Sequence, residues 1–522
     1  MPTCLSTDQK VDKRRRGRLG VEMRPLVGGL VAGCGVWIAA LAGCSAAPGG
    51  ARPDGASEPA ALPSTPLAVE PAPFAPQPDL SEGLVNTSAD LGALLEHGAL
   101  AGACAASRAA PEDRRLLLLC GKSMFFYEGF GTIGIPEALV DAIPAHFEDQ
   151  VGPAFSAYGL IPDPTSPQGR ALGFAPGAPL EGVPTLALTC AACHLGVLPD
   201  GRYAVGAPNH DYRYGDHMLS ILLAPAAASP TFDPADHHPD AIRAVQGILD
   251  ALEGDLWLQV QLGIDLLPLL GILNATAPMS VETEGHYAHW LSGTMDFLIA
   301  PLPVDDGVHT VSKTSALWGF PTADEQGASG MPHAMLAWTG SGHSLDDFLA
   351  GFVTIGGGDP AWQDPAALAP LREYLLSLTP PAPPAGDPAA IARGEAVFAE
   401  AGCLDCHAGP RGGGDRVYTF DEIGTDDALA RWGDPALSGA LCCGMDDGVT
   451  APTHGVKSPR LVGLWAMGRF LHNGSVRTLD ELLCLAPRSE NPVDAFGSQG
   501  HGFGCALGEG ERRDLVAFLN AH

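Results

Sequence analysis

Two short stretches carry residue types at spacings that could do chemistry. One is "CAACH", with Cys190, Cys193 and His194; the other is "CLDCH", with Cys403, Cys406 and His407. Two such thiols followed at once by a histidine admit three readings: a redox-active dithiol, a zinc site, or attachment of a c-type haem. A dithiol has no need of the histidine. A zinc site calls for a further ligand pair at close spacing. Haem attachment uses all three groups. The thiols add across the porphyrin vinyl groups, and one helical turn brings the imidazole under the iron. Two complete copies point to two covalently bound c-type haems, with His194 and His407 as iron ligands. Calcium is left open as a further cofactor.

The elements that must position these motifs come in two sets. "VSKTSALWGF" (311–320) followed by "WTGSGHSLDDFL" (338–349) is echoed by "GVKSPRLVGLW" (455–465) followed by "HNGSVRTLDELL" (472–483). Further along, "LREYLLSL" (371–378) matches "LVAFLNAH" (515–522), with Tyr374-Leu375 opposite Phe518-Leu519. Apolar residues at i and i+3/i+4 make each of these a closing helix. "LLLLCGKSMFFYEGFG" (116–131) and "IARGEAVFAEAGC" (391–403) read as the helices that lead toward the motifs. The expected fold is mainly α: two cytochrome c-like helical domains with long irregular loops, residues 80–380 and 381–522. They join at the Pro-rich "LTPPAPPAGDP" (378–388). The first domain carries an insertion at about 200–310, with one apolar helical stretch over 240–273.

The 522 residues, 46% of them hydrophobic, suffice for two or three cores, and 66 Gly with 47 Pro imply long loops. A net charge of −31 repels nucleic acid and favours a basic partner. Residues 1–43 read as a lipoprotein-type signal peptide: a basic start at Arg24, an apolar run to Ala42, then "LAGC" with Cys44 as the lipidated residue. An uncleaved membrane anchor is the alternative. Residues 44–79, rich in Ala and Pro, read as a disordered tether. This places the protein in the periplasm or cell envelope, lipid-anchored at the outer membrane. Export permits disulfides among Cys104, Cys120, Cys442, Cys443, Cys484 and Cys505. Cys104 with Cys120 is the local pair, and Cys484 and Cys505 are the expected partners of the adjacent Cys442 and Cys443. Free buried thiols are the alternative.

"GKSMFFYEGFG" (121–131), "CAACHLG" (190–196), "GAPN" (206–209) and "FLHNGSVRTLDELL" (470–483) resemble the dihaem cytochrome c peroxidase superfamily and lean toward its rubber-oxygenase-like branch. The resemblance covers most of residues 116–520. It implies electron entry at the C-terminal haem from a small, basic donor protein, and peroxide reduction at the N-terminal haem. The alternatives are a haem-dependent oxygenase or oxidase acting on an apolar organic substrate with dioxygen, or a non-catalytic electron-transfer cytochrome.

The same resemblance implies a second axial ligand for the C-terminal haem near the end of the chain, which falls on His501. The repeat sets Gly357 opposite His501, so the haem on His194 is expected to lack that ligand and to be the reaction centre. His472 stands opposite Trp338, which cannot bind iron, and reads as structural. Met445 and Met467 are softer rivals. His210 and His217 are read as lying in a loop after the first motif, where the resemblance places a mobile ligand; His210 is the candidate. Trp318, in "SKTSALWG", is the tryptophan with an expected catalytic role. Trp338 and Trp465 read as core.

Overall fold

The computed structural model describes residues 74–269, 279–296, 311–322, 324–325, 336–340, 342–414, 416–427, 429, 455–488 and 497–522. The expectations for the leader, Cys44, most of the tether, Cys442, Cys443 and Met445 lie outside the described residues.

Helices dominate, and the strands are short and gathered in small antiparallel sheets. Side-chain caps explain where the main helices begin. Asp113 accepts from the Leu116 N–H at the start of Arg114–Tyr127, and Asp364 accepts from Ala366 before Pro365–Ser377. Asp387 does the same before Pro388–Glu400. The second and third of these helices open on proline, whose missing N–H would be unpaired there anyway. Helix Arg114–Tyr127 packs on Pro365–Ser377, and helix Pro388–Glu400 packs on Glu509–Asn520.

Both crossings rest on a glycine. A Cβ on Gly121 would lie 2.0 Å from the Pro370 carbonyl oxygen and 2.5 Å from Tyr374 Cβ. A Cβ on Gly394 would lie 2.0 Å from the Asp514 carbonyl oxygen and 2.6 Å from Phe518 Cβ. Each opening helix therefore lets the closing helix approach to backbone contact, with an aromatic ring laid beside it.

The repeated loops share their backbone geometry too. Ala337 and Leu471 both have φ of 61°, and Gly340 and Gly474 both have φ of 72°. Bridges Leu336–Gly342 and Phe470–Val476 close the two turns in the same way. The two halves touch reciprocally. A Cβ on Gly463 would meet the Trp318 ring at 2.6 Å, and one on Gly319 would meet Val462 at 2.9 Å. Since Val462 stands where Trp318 does in the repeat, the contact is a local pseudo-twofold one.

Three details differ from the sequence reading. The apolar stretch over 240–273 is not one helix but three short ones, Pro239–Ala244, Gln246–Leu252 and Leu256–Asp265. The chain breaks at Gly254, with φ of 82°, and Asp255 caps the last segment anew. That segment leaves Leu256, Trp257, Val260 and Ile264 exposed. The disulfides are Cys104–Cys120, as expected, and Cys484–Cys505, which bond to each other rather than to Cys442 and Cys443. Arg488 donates to the carbonyls of Glu481, Leu482, Ser498, Gly500 and His501, which ties the segment before it, with Cys484, to the segment that leads to Cys505. Finally, the end of the expected tether is packed. Phe74 stacks edge-on against Phe398 and Phe518, and Gln77 donates to the Leu376 carbonyl. Among the described residues, no helix is long and apolar enough to cross a membrane.

The crossings yield a paired test. Gly394→Ala should lower the unfolding free energy by about 2 kcal/mol, because the methyl must push backbone aside. Gly351→Ala, where a Cβ meets nothing within 4 Å, should leave it unchanged or raise it by about 0.5 kcal/mol. Denaturant unfolding of the two variants beside the parent protein measures both.

Candidate haem sites

The first motif forms a single helical turn, Cys190–His194, fed by strand Thr185–Leu188 and followed directly by strand Leu195–Val197. The turn is held by its carbonyls. Asn209, 3% exposed, donates Nδ2 to the carbonyls of Ala192 and Gly159, and its backbone N–H bonds the Cys193 carbonyl at 2.8 Å. The Gly206 N–H bonds the His194 carbonyl, also at 2.8 Å. The carbonyl of Gly206 in turn accepts from the Leu317 N–H at 2.8 Å. Trp318, fully buried, lies over Gly206 and donates Nε1 to the Val205 carbonyl at 2.9 Å. Its polar atom is thereby committed to the backbone that holds His194.

The thiols of Cys190 and Cys193 form no disulfide, and burial pushes both up to about 12. Thiols kept neutral this firmly are poor redox nucleophiles. The His194 ring is only half-buried by exposed area, yet surrounding protein pushes it down to about 4, with the Ser315 backbone opposing. Its Nδ1 is enclosed with no hydrogen-bond partner.

The second motif is another single turn, Leu404–His407, with Cys403 at its N-cap. His407 is 8% exposed, and its Nδ1 bonds the Gly412 carbonyl at 2.6 Å. The other ring nitrogen is then the one an iron would take. Arg411, just before Gly412, is 5% exposed and pairs with Glu325 through both terminal nitrogens, one at 3.0 Å. A Cβ on Gly319 would lie 2.8 Å from Arg411 Cδ. Residues 317–319 thus bridge the backbone behind His194 to the backbone behind His407.

His501 follows Gly500 near the end of the chain and packs its ring edge-on against Phe503, 5.4 Å between centroids. Burial pushes it down to about 4, and the His407 charge adds to that shift. Its Nδ1 is enclosed and unpartnered, and its φ is 48°. Gly357, its repeat counterpart, has φ of 65° and faces Ile133 at 3.3 Å from an ideal Cβ. The same backbone position presents an imidazole in one half and stands beside an isoleucine in the other.

Three of the rivals are otherwise engaged. His472 Nε2 lies 3.3 Å from Asp426, which Asn473 also binds at 2.8 Å. Met467 packs in the apolar core. His217 lies not in a loop, as expected, but in helix Tyr214–Ala227, fully buried among Phe155, Tyr158 and Phe174, with Nδ1 2.9 Å from the Tyr212 hydroxyl. His210 sits against Gly293 and Gly468, with both ring nitrogens enclosed and unpartnered; burial, Lys313 and Arg469 push it down to about 3. Trp338 and Trp465 donate to the carbonyls of Lys313 and Pro381. Among the described residues, no three His, Cys, Asp or Glu are arranged to hold a separate metal ion. The sequence reading passed over Asn209, Arg411, Glu325 and Ile133. Only Asn209 had a signal, in the quoted "GAPN".

No family model matches the chain. It is 33% identical over 164 residues to an uncharacterized protein, y4iM, of Sinorhizobium fredii, covering 26% of this chain and 37% of that protein. It is 28% identical over 215 residues to the cytochrome-c peroxidase IdrP1 of Denitromonas iodatirespirans, covering 34% of this chain and 54% of the peroxidase. A hydrazine synthase structure from Kuenenia stuttgartiensis aligns with 47% of this chain and 89% of its own, at 18% identity and a TM-score of 0.24. The chain therefore spans about a third to a half of the length of these curated relatives. One of them is a haem peroxidase by name, in keeping with the donor set described above.

Glu325→Ala should strip the buried Arg411 of its carboxylate and lower the unfolding free energy by about 3 kcal/mol. Thermal or denaturant unfolding reads this directly.

Proposed function

We propose that the protein is an exported dihaem c-type cytochrome that works as a cytochrome c peroxidase-like oxidoreductase. One haem is attached through Cys190 and Cys193 with His194 as axial ligand. The other is attached through Cys403 and Cys406, with His407 and His501 as its two ligands. The observation that carries this reading is the asymmetry: an enclosed imidazole with an unpartnered Nδ1 at His501 in one half, and Ile133 beside Gly357 at the matching position of the other. Haem supplies one-electron redox chemistry, and an iron with a free axial position can also bind small oxygen species.

In this reading His407 and His501 hold the site of electron entry, and His194 holds the site of reduction. Residues 317–319 offer a route between them, hydrogen-bonded at Gly206 and packed at Arg411, with Trp318 at its centre as a relay. Hydrogen peroxide takes up two electrons and two protons and leaves as two waters, so two one-electron deliveries complete each turnover. A net charge of −31 favours a small basic donor protein. A lipid on Cys44 would hold the protein at the outer membrane, with the residues before Phe74 as the tether. The second reading, dioxygen with an apolar organic substrate, draws on the exposed Leu256, Trp257, Val260 and Ile264 of the insertion. Peroxide turnover with a reduced donor favours the first; dioxygen uptake that requires an added hydrocarbon favours the second.

Intact mass should show two haems per chain, and Cys190→Ala or Cys403→Ala should each remove one. Electron paramagnetic resonance of the resting protein should show one low-spin haem and one with a weak-field or open position. His501→Ala should convert the low-spin signal and leave the other intact. Two low-spin signals at rest would move His210 into the first site and overturn the open-site assignment.

A further inference from the structure

Three buried cations between the two halves have no part in the reading above. Lys313 is 9% exposed, and Lys457 and Arg460 are half-buried. Lys313 and Lys457 are repeat counterparts, and each is held by the opposite half. The Lys313 N–H bonds the His472 carbonyl at 2.7 Å, and the Lys457 N–H bonds the Trp338 carbonyl at 2.9 Å. Trp338 and His472 are themselves counterparts, so the two clasps are one arrangement used twice.

Their charged ends find little. The Lys313 ammonium donates to the Arg469 carbonyl at 3.0 Å and lies 5.5 Å from the Trp338 ring centre. The Lys457 ammonium reaches only the Ser458 carbonyl, at 3.5 Å. Arg460 donates Nε to the Trp318 carbonyl at 3.1 Å and lies 4.5 Å over the Phe320 ring. Among the described residues none of the three meets a carboxylate. Burial pushes Lys313 down to about 8 and Lys457 to about 7, where Arg460 and Lys313 add to the shift. Arg460 falls to about 10 by burial and by Arg411. One buried and two half-buried cations with no carboxylate among the described residues, in a chain of net charge −31, are arranged for a ligand that brings negative charge.

We propose that Lys313, Lys457 and Arg460 form a carboxylate seat between the two halves, and that its ligands are the haem propionates. The proposal rests on the dihaem reading above. A c-type haem is fixed by thioethers at its vinyl edge and carries its two carboxylates on the opposite edge. Lys457 pairs with Val417 in a short ladder, and the neighbouring Tyr418 hydroxyl donates to the Asp405 carbonyl inside the second motif at 3.1 Å. Thr314, next to Lys313, donates its N–H to the Gly293 carbonyl at 3.0 Å, and Gly293 lies against His210, whose neighbour Asn209 holds the first motif. The backbone thus ties each lysine to one motif. A propionate completes a charge-assisted pair that neither half can supply alone, because each lysine is clasped by the other half. Haem binding and docking of the halves are then linked.

The test uses the full-length holoprotein. Lys457→Met should shift the propionate bending mode in the resonance Raman spectrum. It should also lower the reduction equilibrium constant of the low-spin haem about tenfold, 59 mV for a one-electron couple, because the exposed propionate charge disfavours reduction. Lys457→Arg should restore the mode and keep the constant within about threefold. Lys457→Gln gives the same reading as the Met variant where that one does not accumulate. Intact mass separates the two failures. A protein without covalent haem overturns the functional reading and this proposal with it. A dihaem protein whose propionate mode is unmoved by Lys457→Met and Lys313→Met overturns the proposal alone, whatever its potential does.

Discussion

The structure depends on a chain of backbone contacts that runs behind both histidine motifs. The His194 carbonyl is held by Gly206, the Gly206 carbonyl by Leu317, and the indole of Trp318 lies flat enough on Gly206 to forbid any side chain there. The far edge of the same indole meets Gly463 of the other half, and Gly319 meets Arg411 beside the Gly412 carbonyl that holds His407. Each glycine allows a contact that a methyl group would break. A ligand ring is useful only when fixed to a few tenths of an ångström, and short bonded paths fix it better than long side chains do. The tryptophan is thus first a spacer. Any part in electron transfer follows from where that spacing puts it.

The repeat explains how one architecture can hold two unlike sites. Turns, caps, glycine crossings and lysine clasps recur in both halves with the same backbone angles. Within the matched segments, a few of the side chains that differ matter for the sites. Val462 replaces Trp318, His472 replaces Trp338, and Gly357 replaces His501. Substitution at such positions changes chemistry without disturbing packing, because the backbone already adopts positive φ at Gly357 and His501 alike. Strain at His501 is the cost of keeping an imidazole where glycine would sit more easily, and a functional site is where such strain is retained.

Much of this was legible in the sequence. The two motifs, the closing helices and the match of Tyr374 with Phe518 all followed from spacing and periodicity. The mainly helical fold followed from the same signals. The failures share a physical cause. Periodicity over 240–273 suggested one helix, but periodicity is blind to a single left-handed glycine, and Gly254 divided it. Adjacent Cys442 and Cys443 drew the disulfide expectation by proximity of number, while Arg488 gathers the loop and joins Cys484 to Cys505. Asn209, Glu325 and Ile133 act on motifs far from them in sequence, and no local pattern announces such a contact.

The charge distribution carries the last step. The chain as a whole is strongly acidic, yet Lys313, Lys457, Arg460 and Arg411 gather inside it. Surface carboxylates act from a distance but are screened over about 10 Å at ordinary ionic strength. Buried cations are screened far less and act on whatever lies beside them. The two populations can therefore be changed separately: the outer one sets the field met from solution, and the inner one sets the field within the chain. Arg411 shows why the inner set must be specific. It alone of the four has a described carboxylate, Glu325, and it alone directly precedes the glycine that orients a motif histidine. Its charge is neutralised within the chain, so that its job is position, while the unpaired three are left to meet a ligand.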